Sequence, residues 1–167
     1  MRENESKTVL RGKSAVEKSD PQIMLRGEID GLLARAVMTC AYAKHVGYTE
    51  IVSGTEDIVR VIRELMRCEA LGETPCVTEI LGMSLDELRT ASQKPKSELG
   101  LEHYIPDAET DLMTAHLNLL RTDIRRTERA ACAAEKGNPA DAGIQMVLNR
   151  LSSAAYILML ENRANRI

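Results

Sequence analysis

The sequence predicts an all-α protein, an antiparallel bundle of four to five helices, and three observations lead there. Of its 167 residues, 44% are hydrophobic and 28% charged, a balance that folds as one globular domain with room for a core. There is no Phe, no Trp and only four Tyr, so that core must come from Leu, Ile, Val, Met and Ala, which pack helix against helix. Long segments with apolar residues at helical spacing are separated by stretches marked with Gly and Pro.

Residues 1 to about 18 are polar and mixed in charge, with no apolar period, and are expected to form a mobile N-terminal segment; residues 19–167 make the helical domain, ordered from about Ser19 to Asn162. Ser19, Asp20 and Pro21 start a first helix that runs to about His45, with Ile23, Ile29, Leu33, Ala36, Val37 and Cys40 on its apolar face and Gly47 closing it. Thr55, Glu56 and Asp57 open a second helix, striped by Ile58, Val61, Ile62, Leu65 and Met66 and stopping near Gly72. A turn-rich connection reaches Ile80. Ser84-Leu85-Asp86-Glu87 is a capping box for a short helix that ends before Pro95, and another loop covers Lys94 to Pro106.

From Asp107 to about Lys136 neither Gly nor Pro occurs, which predicts thirty residues of helix, ~45 Å long. Gly137, Asn138 and Pro139 break it. The last helix runs from about Ala140 into the 160s and buries Ile144, Val147, Leu148, Leu151, Ala155, Leu158 and Met159.

Net charge is -3 and the isoelectric point about 5.7, so no overall positive field draws nucleic acid or an anionic membrane, and the shortage of aromatic residues removes stacking platforms for single strands. No apolar run approaches the ~20 residues that span a bilayer, and the opening MRENESK has no apolar signal region; the expected location is cytoplasmic. Cys40, Cys68, Cys76 and Cys132 include no CxxC pair and read as reduced residues that mostly serve packing, with no metal site.

Projected at 100° per residue, Asn118, Arg121, Arg125, Glu128 and Arg129 fall on one face of the long helix. Arg125 and Arg129 are like charges at i, i+4, which repel, so either an anionic ligand compensates them or the face is an ordinary surface on which Glu128 bridges to Arg121 or Arg125. On the last helix Asn149 lies beside Ser152, Ser153 and Tyr156, a polar strip next to an apolar face. In the first helix Arg26, Gly27 and Asp30 form another pattern, since a Gly inside a helix costs ~1 kcal/mol and normally marks close backbone approach. The N-terminal segment offers Lys7, Thr8, Arg11, Gly12, Lys13, Ser14 and Lys18, cations and donors around a flexible Gly that suit either phosphate or solvent.

LLRTDIRRTERA followed by MVLNRLSSAAYILM resembles the paired signature of ATP:corrinoid adenosyltransferases, in which an Arg-Arg-x-Glu-Arg helix precedes Leu-Asn-Arg-Leu-Ser. KSDPQIMLRGEID, SLDELRTASQKP and HYIPDAETDLMTAHLNLL extend the resemblance over roughly residues 16 to 160, and it looks most like the ethanolamine-utilisation type, with a more distant similarity to the propanediol-utilisation type. The resemblance implies a homotrimer of helical bundles with ATP in a cleft between subunits and cobalamin beside it. It implies that Arg125 pairs with Asp30 across the interface, that Arg129 and Asn149 contact ATP, and that Arg121 and Glu128 support them. Asp30, Arg125 and Arg129 would carry the catalytic role. Lys7, Thr8, Lys13 and Lys18 stand where the propanediol type has a Thr-Gly-Asp-rich phosphate loop, a motif this chain lacks. His103, beside Tyr104, takes the place of the Phe that covers the corrin's lower face; it is a spacer there, a cobalt-facing ligand or a loop histidine. The Cys-rich metal segment of some ethanolamine-type members has no counterpart.

The implied reaction is attack of Co(I) on the 5′ carbon of ATP with loss of triphosphate, aided by Mg²⁺ and by a flavoprotein reductant. An adenosylcobalamin-dependent enzyme would receive the product, in association with a bacterial microcompartment. The competing reading is a non-catalytic helical interaction protein, or one that delivers adenosylcobalamin.

Overall fold

The computed structural model describes residues 6–10 and 14–165. Six helices carry the fold: α1 (Pro21–Val46), α2 (Thr49–Leu71), α3 (Leu85–Gln93), α4 (Pro95–Leu99), α5 (Leu112–Ala134) and α6 (Pro139–Ala164). Two small antiparallel hairpins accompany them, β1 (Lys7–Leu10) with β2 (Ser14–Glu17), and β3 (Glu79–Ile80) with β4 (Met83–Ser84). α1, α2, α5 and α6 form the bundle, so the all-α antiparallel fold expected from composition is the fold observed.

Antiparallel packing of α1 on α5 is fixed by contacts that run in opposite directions along the two helices. Gln22 Nε2 donates to the Ala134 carbonyl at 2.9 Å, Arg126 Nε reaches Glu28 at 2.7 Å, Arg35 Nε reaches Asp123 at 3.0 Å, and Tyr42 stacks on His116 with centroids 4.6 Å apart. The core between the helices is aliphatic throughout, led by Leu25, Ile29, Leu32, Ile58, Ile62, Leu65, Leu117, Leu120, Ile124, Leu148 and Leu151. No helix among the described residues is long and apolar enough to cross a membrane.

Several boundaries follow the sequence signals. Asp20 caps α1 by accepting from Gln22 N, with Pro21 in the first turn, and Gly47 ends it in the left-handed region at φ 82°. Ser84 and Glu87 form the reciprocal capping box of α3. The stripes of α2 and α6 are buried as expected, Met66 only partly.

Other expectations need correction. α2 begins at Thr49, six residues before Thr55, because Gly47 and Tyr48 suffice to turn the chain; Thr55 is buried inside the helix, its hydroxyl donating to the Ile51 carbonyl at 2.7 Å. α5 begins at Leu112, since Asp111 caps it by accepting from Thr114 N at 3.0 Å while Asp107 and Thr110 close a separate turn. It also ends at Ala134, so the thirty-residue expectation shortens to 23 residues.

The buried face of α1 is Leu25, Ile29, Leu32, Ala36, Cys40 and Ala43, while Val37 is 49% exposed. Gly27 has open space where a side chain would be; the close approaches occur at Gly54, where an added Cβ would lie 2.5 Å from Leu158 Cδ2, and at Gly143 against Pro75. Only Cys40 and Cys68 are buried, and Cys76 and Cys132 are exposed. Before α1, Lys7–Leu10 pairs with Ser14–Glu17, and Lys7 lies 3.7 Å from Glu17.

Candidate functional site

α5 and α6 pack against each other along their lengths, and α3 lies across the middle of α6, where Ser92 Oγ donates to Ser153 Oγ at 2.9 Å. The loop between α4 and α5 folds back over the same part of α6. Its Tyr104 N donates to the Tyr156 hydroxyl at 3.2 Å, and its Tyr104 hydroxyl meets Thr110 at 2.6 Å. These four pieces enclose an open cleft of about 540 Å³, within the usual range for a small-molecule site.

Each wall supplies polar groups. α5 contributes Arg121 and Arg125, α6 contributes Asn149, Ser152, Ser153 and Tyr156, α3 contributes Arg89, Ser92 and Gln93, and the loop contributes His103 and Tyr104. Among the described residues, no Asp or Glu lines the cleft. Arg121 is half-buried with its guanidinium 5.3 Å from the centre of the Tyr156 ring, a cation–π contact. Burial first, and the neighbouring Arg125 second, hold its pKa below the ordinary guanidinium value.

The Tyr156 hydroxyl organises the loop wall. It accepts from Tyr104 N and lies 3.0 Å from His103 Nδ1. Tyr104 is held in turn by Arg163, whose guanidinium stacks 3.7 Å from its ring centre. Asn149 is fixed at both ends of its amide: its Nδ2 donates to Glu128 at 2.8 Å and its Oδ1 accepts from Arg150.

Of the residues singled out in the sequence, Arg121, Arg125, Asn149, His103 and Tyr104 therefore meet in one cleft, with Ser152, Ser153 and Tyr156. Glu128 supports Asn149 from behind. Arg129 is exposed, one turn beyond Arg125 and outside the lining, and Asp30 is exposed on α1 with no ion-pair partner among the described residues. Lys7, Thr8 and Lys18 lie in and beside the β1–β2 hairpin rather than at the cleft, and Lys13, with Arg11 and Gly12, falls outside the described residues. α3 carries no residue singled out in the sequence, although Arg89, Ser92 and Gln93 at i, i+3 and i+4 share one face of this short helix.

No group of three or more His, Cys, Asp or Glu residues among the described residues is arranged to hold a metal ion. The cleft's polar groups are guanidinium, hydroxyl, amide and imidazole, which do not suit direct ligation of Mg²⁺; that cation prefers carboxylate and phosphate oxygens.

Among the described residues the cleft gathers guanidinium groups, hydroxyls and an imidazole without a carboxylate, a chemistry suited to an anionic small molecule. The chain belongs to the cobalamin adenosyltransferase family, whose model matches residues 2–161. Over 156 residues it is 32% identical to the corrinoid adenosyltransferase EutT of Escherichia coli strain K12 and 31% identical to that of Salmonella typhimurium, covering 92% of this chain and 57% of each relative. The chain thus spans a little over half the length of the curated relatives it matches.

Two solved structures share the fold. One is a variant PduO-type ATP:corrinoid adenosyltransferase from Lactobacillus reuteri complexed with cobalamin and ATP, with a TM-score of 0.71, 16% identity and coverage of 96% of this chain and 91% of that chain. The other is a variant of the same enzyme with His in place of Phe, also complexed with cobalamin and ATP, with a TM-score of 0.71, 17% identity and coverage of 96% and 88%.

Proposed function

We propose that the chain transfers the 5′-deoxyadenosyl group of ATP to Co(I) of a corrinoid, giving adenosylcobalamin and triphosphate. The observation that carries this reading is the junction of α5 and α6: the two motif helices of the family resemblance place Arg121, Arg125 and Asn149 in one carboxylate-free cleft. In the reaction the cobalt–carbon bond forms as the bond between C5′ and its oxygen breaks; cobalt supplies both electrons, passing from Co(I) to Co(III), and triphosphate leaves with the pair from the broken bond. No protein nucleophile is needed. The chain's task is to hold two reactants in line, exclude water and stabilise the charge on the leaving group.

Asn149 and Arg129 are the proposed ATP contacts, with Glu128 orienting Asn149 and Arg121 adding positive charge. The hairpin cations Lys7 and Lys18, with Thr8 and Lys13, are proposed to approach the phosphates. Mg²⁺ would enter with the triphosphate. His103 and Tyr104 are assigned to the corrin's lower face. His103, whose Nδ1 is engaged by the Tyr156 hydroxyl, is proposed as a spacer on that face, which suits a cobalt ion that must shed its lower ligand before reduction.

The proposed assembly is a homotrimer in which Arg125 meets Asp30 of a neighbouring subunit; within one chain both are exposed and without an ion-pair partner among the described residues. Reducing power would come from a flavoprotein, and the product would pass to an adenosylcobalamin-dependent enzyme, in a microcompartment or the cytoplasm.

The deciding experiment follows the adenosylcobalamin absorbance spectrum with chemically reduced cobalamin and ATP. Growth of that spectrum with stoichiometric triphosphate is expected, and its absence leaves delivery or interaction as the role. A double-mutant cycle tests the subunit contact: Asp30→Ala and Arg125→Ala should each lose most turnover and the pair less than the sum, whereas strict additivity removes the contact.

A further inference from the structure

The arginines that are paired with carboxylates lie elsewhere in the molecule: Arg26 with Glu69, Arg35 with Asp123, Arg60 with Asp57, Arg67 with Glu64 and Glu73, and Arg126 with Glu28. The three that line the cleft, Arg89, Arg121 and Arg125, have no such partner among the described residues. Acidic side chains stand close by in the chain. Asp86 is one helical turn before Arg89, and Glu128 one turn after Arg125, yet neither forms an ion pair with them, and Glu128 is engaged by Asn149. A half-buried guanidinium held only by an aromatic ring, facing two more positive charges with no counter-charge, is an arrangement that an anion relieves.

We propose that Arg89 of α3 and Arg121 of α5, which line the same cleft from different helices, form a phosphate clamp, with Arg89 the specificity-determining contact that neither the sequence motifs nor the family resemblance assigned. The Ser92–Ser153 hydrogen bond seats α3 on α6 and so holds Arg89 at the rim. A triphosphate chain and the phosphodiester in the nucleotide tail of a complete corrinoid present the same chemistry to this pair. Which of them fills the clamp rests on the adenosyl-transfer reading; the clamp itself does not.

The test is calorimetric titration of the wild-type chain, Arg89→Ala, Arg89→Lys, Arg121→Ala and Arg63→Ala with inorganic tripolyphosphate, ATP, adenosine, cobalamin and cobinamide. Arg89 is exposed, so its replacement should leave the fold intact, and Arg63, an exposed arginine of α2 away from the cleft, controls for the loss of one surface charge. Arg89→Ala should weaken a phosphate-bearing ligand roughly tenfold or more relative to its phosphate-free counterpart, with partial recovery in Arg89→Lys.

Loss confined to tripolyphosphate and ATP, with adenosine unchanged, identifies the triphosphate as occupant. Loss confined to cobalamin, with cobinamide unchanged, identifies the corrinoid tail. The clamp is overturned if Arg89→Ala matches Arg63→Ala for every ligand, if it loses the phosphate-free ligands equally, or if wild type neither binds tripolyphosphate nor separates the two members of either pair. Failure of the adenosyl-transfer reading is a separate result, absence of product in the wild type; tripolyphosphate binding then decides the clamp alone.

Discussion

Glu69 is 1% exposed, and its carboxylate is held by Arg26 through Nε at 2.8 Å and Nη2 at 3.3 Å. Arg26→Ala removes a charge partner of that buried carboxylate in the α1–α2 seam, so a loss of about 1–3 kcal/mol is expected in urea unfolding. Glu161 shows the opposite situation. Burial first, and the nearby Glu50 second, hold its carboxyl above the ordinary carboxylate pKa. The folded state therefore binds that proton more tightly than the unfolded state, and stability contributed by the protonated form is lost as pH rises from the ordinary carboxylate range through the raised value. Glu161→Gln should raise the urea midpoint at pH 7 and give no gain at pH 3. The thiols divide in the same residue-by-residue way, since Cys68 is buried and its pKa is pushed up to about 11, chiefly by desolvation. A thiol-disulfide reagent should label Cys76 and Cys132 in the native chain, and Cys40 and Cys68 only after denaturant is added.

Where two helices touch, a single missing side chain sets their separation. Gly54 on α2 faces Leu158 on α6, and an added Cβ would meet Leu158 Cδ2 at 2.5 Å and Cδ1 at 2.9 Å. Gly54→Ala should cost about 1–3 kcal/mol by forcing a buried leucine aside, despite the better helix propensity of Ala. Leu158→Ala should cost about 2–5 kcal/mol through its cavity, and the double variant less than the sum, because the new methyl occupies vacated space. A thermal-melt series that is strictly additive would show that the helices do not meet there.

At this scale legibility depended on how cleanly each helix divides into faces. α2 and α6 have one apolar stripe, and periodicity found it. α1 has apolar residues on its outward side too, Met24, Val37 and Met38, so spacing alone mixed buried and exposed positions. Thr55 looked like a cap because its residue type favours caps, and only burial reveals that its hydroxyl is satisfied within the helix. The β3–β4 hairpin turns through Leu81 at φ 57° and Gly82 at φ 71°, with Leu81 N donating to Asp57 at 2.7 Å. A leucine in that conformation gives no local sequence signal, because its support comes from α2.

The cleft was half legible for a reason that belongs to the whole molecule. Arg121, Arg125 and Asn149 could be assigned from helix faces and motif resemblance, whereas Arg89 enters only when α3 crosses α6 and brings distant chain segments together. Three unneutralised guanidinium groups also tie the stability of the whole chain to its ligand, since any anion that binds only the folded state adds RT ln(1 + [L]/Kd). Tripolyphosphate at 100 times its Kd should therefore stabilise the chain by about 2.7 kcal/mol, read as a rise in melting temperature that added salt erodes.

The order of the helices has a further consequence during synthesis. α1 and α2 are joined by Gly47 and Tyr48 alone and form a helical hairpin as soon as both have left the ribosome. The partner for the other side of α1 is α5, and residues 72–111 must emerge before it begins. Until then Leu25, Ile29 and Leu32 lack the covering they have in the finished bundle, and the nascent chain presents an apolar stripe to whatever is nearby. The half of the protein that is synthesised first is thus also the half whose apolar stripe waits longest for its cover.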